Sequence, residues 1–178
     1  MKFAINLLLL SCLAIPFHIY AKSHHMTAQS LPTYSQIYDD QRDPFKDAAA
    51  ALTLAKETNR QVLIEIGGNW CTWCHKMDNF LAKNPEVFQA LHSQYVLLKI
   101  NVSDSNENND FMKSLPPVLG YPHMYISTAQ GKMILSKDTA ELLAGNDYSK
   151  EHWLNFLTQW SVKSTNNQLQ KTSLESEE

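Results

Sequence analysis

The stretch QVLIEIGGNWCTWC, residues 61–74, constrains the fold of this chain more than any other. Its first six residues form a short apolar run, which reads as a buried β-strand. Gly67, Gly68 and Asn69 then make a turn. Beyond the turn, Cys71 and Cys74 open a segment in which Met77, Phe80 and Leu81 recur at helical spacing. The cysteine pair therefore sits where a strand hands over to a helix. One acid, Glu65, interrupts the apolar strand. A buried carboxylate is costly, so its pKa is expected to rise. It stands six residues ahead of Cys71, at the strand end that faces the helix start. There it could take or give the proton of Cys74, unless it points to solvent at a sheet edge.

The rest of the chain supplies a frame around this unit. Residues 43–59 read as a helix, with Asp43 as cap and Pro44 at the first helical position. Asn84 and Pro85 end one helix and begin the next. YVLLKINV, from residue 95, is a second strand, and residues 111–115 form a short helical turn ahead of Pro116 and Pro117. HMYIS and KMILS are two strands of a hairpin turned at Gln130-Gly131. Residues 149–160 form an amphipathic helix whose Trp153, Leu154, Phe156, Leu157 and Trp160 share a face, capped by Ser149 or Asp147. The order is helix, strand, helix, strand, helix, strand, strand, helix. This predicts an α/β architecture, a mixed central β-sheet flanked by helices on both faces. Residues 22–40 are polar without sustained periodicity and read as a linker or loosely docked arm. The domain is expected over 41–163, and 164–178, rich in Asn, Gln, Ser and Glu, as a disordered tail.

Lys2 followed by the apolar FAINLLLLSCLAIPF and a small residue at Ala21 reads as a secretory signal over residues 1–21. A lipoprotein cut before Cys12 and an uncleaved anchor are the alternatives; His18 and Pro16 interrupt the run before it is long enough to span. Export is expected to remove Cys12 with the signal and to leave Cys71 and Cys74 in a compartment where disulfides persist. The net charge of −3, with both signs mixed along the chain, offers no basic stripe for nucleic acid.

Three chemistries suit the pair. A structural zinc site needs four ligands, and only distant His92 and His123 could join, because His75 on a helix points away from Cys74. Copper held by both thiolates, with Met77 or a distant histidine, is a second metal reading. A fixed disulfide across two residues closes too small a loop to constrain the unfolded chain. The third chemistry is exchange. At a helix N-terminus the backbone N–H groups and the helix dipole favour a thiolate. Cys71 is then the exposed nucleophile, and Cys74, one turn in, resolves the mixed disulfide.

At these residues the chain resembles the thioredoxin superfamily. VLIEIGGNWCTWC matches its strand–acid–turn–Trp-Cys-x-x-Cys motif, VLGYPHMYI its cis-proline stretch and LLKINV the strand whose lysine neighbours the buried acid. The resemblance extends from about Asp43 to Trp160. The tryptophan-rich WCTWCHKM is similar to bacterial thioredoxin-like proteins and to the reductase domain of membrane disulfide-interchange proteins. The resemblance implies a thioredoxin-like fold and a redox disulfide Cys71–Cys74. It also implies a proton shuttle at Glu65 with Lys99 nearby, and a substrate face at Trp70, Trp73, Tyr121 and Pro122. It implies protein thiols and disulfides as partners, a membrane electron donor as a further candidate, and no organic cofactor or metal. Uncharged Thr72 and Trp73 between the cysteines lean toward a reductase or electron relay over an oxidase or isomerase. The competing class is a copper- or zinc-handling thiol module without turnover. Gly67 and Gly68 replace the family's usual aromatic and alanine, which is expected to loosen the approach to the site.

Overall fold

The computed structural model describes residues 26–175. The expected signal, 1–21, and the tail end, 176–178, lie outside the described residues. Thirteen elements follow in chain order: α1 (Thr33–Gln36), α2 (Pro44–Glu57), β1 (Gln61–Gly67), α3 (Thr72–Lys83), α4 (Pro85–Gln94), β2 (Tyr95–Asn101), α5 (Asn109–Met112), β3 (His123–Ser127), β4 (Met133–Asp138), β5 (Leu143–Ala144), β6 (Asp147–Tyr148), α6 (Lys150–Gln159) and α7 (Val162–Glu175). Two 3-10 turns, Ala28–Ser30 and Thr139–Leu142, complete the set.

The local signals act as their chemistry requires. Asp43 accepts from the backbone N–H groups of Phe45 and Lys46 and starts α2. Ser149 accepts from His152 N–H and starts α6. Gly131, at φ +84°, turns the β3–β4 hairpin in a backbone conformation that side chains disfavour. Asn84 is the N-cap of α4, with Pro85 next, and its carbonyl accepts from Phe88 N–H; its side-chain amide makes no cap bond there and instead donates back to Phe80 O at 2.8 Å, closing α3.

The central sheet has the order β2-β1-β3-β4. β1 runs parallel to β2 and antiparallel to β3, and β3 pairs antiparallel with β4, so the sheet is mixed. The crossover from β1 to β2 carries α3 and α4. Every residue of β1 and β2 is buried, because helices cover both faces. Alternation sorts their side chains. Val62, Ile64 and Ile66 pack with Ala51 and Ala55 of α2 and with Val96, Leu98 and Ile100. Leu63 packs on the other face with Met77 and Phe80 of α3, Val87 and Leu91 of α4, and Trp153 and Phe156 of α6. Glu65 is two residues beyond Leu63, so it shares the α3 face. The acid thereby points under the helix that carries the cysteines.

Two expected segments are corrected. The part of 22–40 that is described, 26–40, is not loose: Tyr34, Ser35 and Tyr38 are buried there. Ser35 Oγ donates to Leu97 O on β2, and Gln89 Nε2 donates to Met26 O at 2.6 Å. Its anchors are isolated side chains on a single helical turn and extended chain, which leave no periodicity to read. The tail expected to be disordered is helical in α7, as far as Glu175. Ser161 starts it, accepting from Ser164 N–H through its hydroxyl and from Thr165 N–H through its carbonyl, and Thr165 is buried. The short helix expected over 111–115 lies at Asn109–Met112.

Candidate active site

Cys71 is the N-cap of α3, and its Sγ accepts from Cys74 N–H at 3.1 Å. Cys71 O accepts from the N–H groups of Cys74 and His75, so the backbone turns into helix around the first cysteine. The two sulfurs form a disulfide, with the Cα atoms 5.2 Å apart. The exposed nucleophile expected at Cys71 is not what this state shows: Cys71 is 3% exposed and Cys74 0%. Tyr38, from the arm, packs with both in one buried cluster and closes the pair from within.

An aromatic rim surrounds the pair. Trp70, Trp73 and Tyr121 are exposed, as is Leu119 beside them. The Trp70 indole N–H donates to Val102 O at 2.6 Å, and its ring meets Tyr121 edge-on with centroids 5.1 Å apart. Trp73 meets Tyr148 edge-on at 6.0 Å, with the Lys76 ammonium 4.2 Å from its ring centroid. The Tyr121–Pro122 peptide bond is cis. Pro122 is buried, and its carbonyl accepts from Thr139 Oγ1 at 2.6 Å. A cleft of about 280 Å³ runs along this rim, lined by Trp73, Leu119, Tyr121, Leu143 and Tyr148 among others. The His75 ring bonds Asn69 O at 2.8 Å, facing the loop ahead of the pair.

Beneath the pair lies a buried polar cluster. Glu65 is 1% exposed and accepts a hydrogen bond from the Tyr38 hydroxyl. Burial pushes its carboxyl pKa up; Lys99 opposes that, Asp78 adds to it, and the Tyr38 hydrogen bond opposes it. Lys99 stands opposite Glu65 in the β1–β2 register. Its ammonium donates to Asp78 at 2.5 Å, not to Glu65, and lies 4.9 Å from the Tyr38 ring centroid. Burial also drives the Tyr38 phenol pKa well up, and Glu65 adds to it. Sequence reasoning missed both Asp78 and Tyr38. Asp78 had a signal, since it follows Cys74 by four residues and so shares its helix face. Tyr38 had none, because nothing local ties a tyrosine in a polar arm to a strand twenty-seven residues on.

Gly67 does not loosen the site. A Cβ there would stand 2.5 Å from Cys74 Sγ and 2.7 Å from the Tyr38 hydroxyl oxygen. The missing side chain is the space those two groups fill. Gly68 is equally tight: a Cβ would come within 2.5 Å of Trp70 Nε1 and 2.8 Å of Val102 O.

A disulfide at the start of a helix, a buried acid on the preceding strand and Trp70 packed against Tyr121 of the Tyr-Pro stretch define a thioredoxin-like domain. Residues 43–129 match the family model described as thioredoxin-like, and the chain carries that domain. Its relatives include the thiol:disulfide interchange protein DsbD of Salmonella paratyphi A, 30% identical over 79 residues, which are 44% of this chain and 14% of that protein. The corresponding protein of Vibrio vulnificus is 28% identical over 83 residues, 47% of this chain and 14% of its own length. The chain thus spans a small part of the curated relatives it matches. Among solved structures, a disulphide isomerase of Xylella fastidiosa Temecula1 aligns with a TM-score of 0.59 at 23% identity, over 72% of this chain and 95% of that one. The oxidised C-terminal domain of Neisseria meningitidis DsbD aligns at 0.51 and 22% identity, over 66% and 95%. These structures establish the fold.

Proposed function

We propose that this protein is an exported thiol–disulfide oxidoreductase that exchanges disulfides with protein thiols and works as a reductase or electron relay. One observation carries the reading: the Cys71–Cys74 disulfide caps α3 under an exposed aromatic rim, beside the cis Tyr121–Pro122 bond. In the reduced protein, the Cys74 N–H aimed at Cys71 Sγ supports a thiolate at Cys71. That thiolate attacks a partner disulfide, forming a mixed disulfide and releasing one partner sulfur. Cys74 then gives its proton to Glu65 and attacks Cys71 Sγ, closing the internal disulfide and releasing the second sulfur. Lys99 keeps positive charge near the acid and is itself held by Asp78.

Trp70, Trp73, Tyr121 and Pro122 form the face that receives the partner chain, and the cleft beside them holds its side chains. Because both cysteines are buried in the disulfide state, the partner must displace part of this rim, and Trp70 against Tyr121 is its exposed edge. The direction rests on the uncharged Thr72 and Trp73, which place no cation between the sulfurs to hold a thiolate. The names of the relatives support thiol–disulfide chemistry and, with the signal-like N-terminus, a periplasmic setting and a membrane electron donor as partner.

Reduction of insulin with dithiothreitol tests the assignment. Turnover that disappears in Cys71→Ser is expected. Stoichiometric Cu(I) or Zn(II) in the purified protein without turnover would instead favour the metal-handling class. The reduction potential of the pair decides the direction, a low value meaning reductase and a high one oxidase.

A further inference from the structure

Tyr38 has no part in the exchange as described, yet it is built into the site. It is 3% exposed and comes from the arm ahead of α2. Its hydroxyl donates to Glu65 Oε1, and its carbonyl accepts from Asn69 Nδ2 at 3.0 Å, in the loop before Cys71. A methyl at Gly67 would be 2.5 Å from Cys74 Sγ and 2.7 Å from the Tyr38 hydroxyl oxygen, so those two atoms are no farther apart than these lengths laid end to end. One hydroxyl therefore binds the acid and shares a pocket with the sulfur whose proton that acid must handle.

We propose that Tyr38 is a positioning residue for proton transfer in the resolving step: its hydroxyl holds the Glu65 carboxylate beside Cys74 and in the ionised form that accepts the proton. This deepens the oxidoreductase reading and rests on it. In that step the Cys74 S–H proton passes to Glu65, and the sulfur's electron pair forms the Cys74–Cys71 bond. The partner sulfur leaves with the electron pair of the mixed disulfide. Tyr38 makes and breaks no bond among these. It acts on the Glu65 equilibrium, where burial and Asp78 favour the protonated acid while Lys99 and the Tyr38 hydroxyl favour the carboxylate. The other groups that face this pair are Lys99 on β2, Asp78 on α3 and Tyr148 on β6. Tyr38→Phe leaves all three in place and keeps the ring that packs on the cysteines.

Two measurements on wild type, Tyr38→Phe and Glu65→Gln test this. One is the ¹³C carboxyl titration of Glu65 in the reduced protein. The other is the pH dependence of mixed-disulfide resolution in a single turnover. Tyr38→Phe is expected to raise the Glu65 midpoint and the acid limb of resolution together by about one pH unit, a tenfold change in ionisation. Glu65→Gln removes the limb, and adding Tyr38→Phe to it changes the profile no further. Difluorotyrosine at position 38, a stronger donor of nearly the same shape, moves both midpoints down, a reversal that lost packing cannot produce; it also serves if Tyr38→Phe folds poorly. Turnover with a Glu65 titration unmoved by both changes overturns the role of Tyr38 and leaves the oxidoreductase reading intact. A wild-type protein that resolves no mixed disulfide at any pH overturns that reading, and the role of Tyr38 in resolution with it.

Discussion

Gly67→Ala probes the tightest contact in the site. The substitution adds one methyl to a strand residue whose φ is not in the left-handed region, so the backbone itself tolerates alanine. The cost is contact. The new Cβ would lie 2.5 Å from Cys74 Sγ, 2.7 Å from the Tyr38 hydroxyl oxygen and 2.9 Å from its Cζ. Ordinary carbon contacts begin near 3.5 Å, so each neighbour must yield by roughly an ångström. Cys74 is held by a disulfide and a helix, and Tyr38 by Glu65 and by its packing. Overpacking of this kind costs about 1–3 kcal/mol, and losing the Tyr38–Glu65 bond adds a further ~1.5–3 kcal/mol for a hydrogen bond to a charged acceptor. Urea denaturation of the oxidised protein should therefore show Gly67→Ala destabilised by about 2.5–6 kcal/mol. In a Tyr38→Ala background the ring and its bond to Glu65 are already gone and only the clash with Cys74 Sγ remains, so the same methyl should cost about 1–3 kcal/mol beyond Tyr38→Ala, less than in the wild type by a coupling of the size that contacting residues show. A Gly67→Ala effect under about 0.5 kcal/mol, the range of a surface change, or costs that simply add in the double variant, would refute the claim that Tyr38 and Cys74 fill the space of the missing side chain.

Other outcomes follow from the same geometry. His92 is 1% exposed, and its pKa is lowered to about 4 by burial, with Arg60 and Lys99 adding to it. Its folded-state value lies below the unfolded one, so stability is complete above about pH 6.5 and falls by about 3 kcal/mol as pH drops toward 4. The raised pKa of Glu65 acts in the opposite sense, giving stability that is complete below the unfolded carboxylate value and lost as pH rises through the folded one. The His92 contribution is therefore read as the difference between wild type and His92→Phe in denaturation curves from pH 7 to 4; parallel curves would contradict it. Trp153 is 1% exposed against Phe80 and Phe156, and Trp153→Ala should cost about 3–5 kcal/mol by chemical denaturation. Asp43→Ala removes the acceptor for two N–H groups at the start of α2 and should cost about 1 kcal/mol by the same method.

Elements with local punctuation were legible in the sequence. Asp43-Pro44, Gly131 and Ser149 mark boundaries through their own backbone chemistry, and the apolar period of 149–160 marks α6. Glu65 was legible as a buried acid because it breaks an apolar run, and Lys99 through the resemblance of LLKINV to the strand whose lysine neighbours that acid. What stayed hidden depends on tertiary contact. Tyr38 reads as part of a polar arm, since its hydroxyl is satisfied by a residue far along the chain. The ion pair that draws Lys99 to Asp78 joins a strand to a helix and shows in neither alone. Gly67 read as slack because a glycine discloses its missing side chain but not what occupies the space. The burial of Cys71 has the same origin, because the group that packs against it comes from the arm.

The account stands on an ordered pair of thiols, one that attacks and one that resolves. Reduced Cys74→Ser and Cys71→Ser proteins, each exposed to glutathione disulfide at pH 7 and analysed by peptide mass mapping, test this directly. The account predicts rapid, stable glutathione capture at Cys71 in the first variant and little at Cys74 in the second over the same interval. Equal capture at both positions, or capture faster at Cys74, would contradict it.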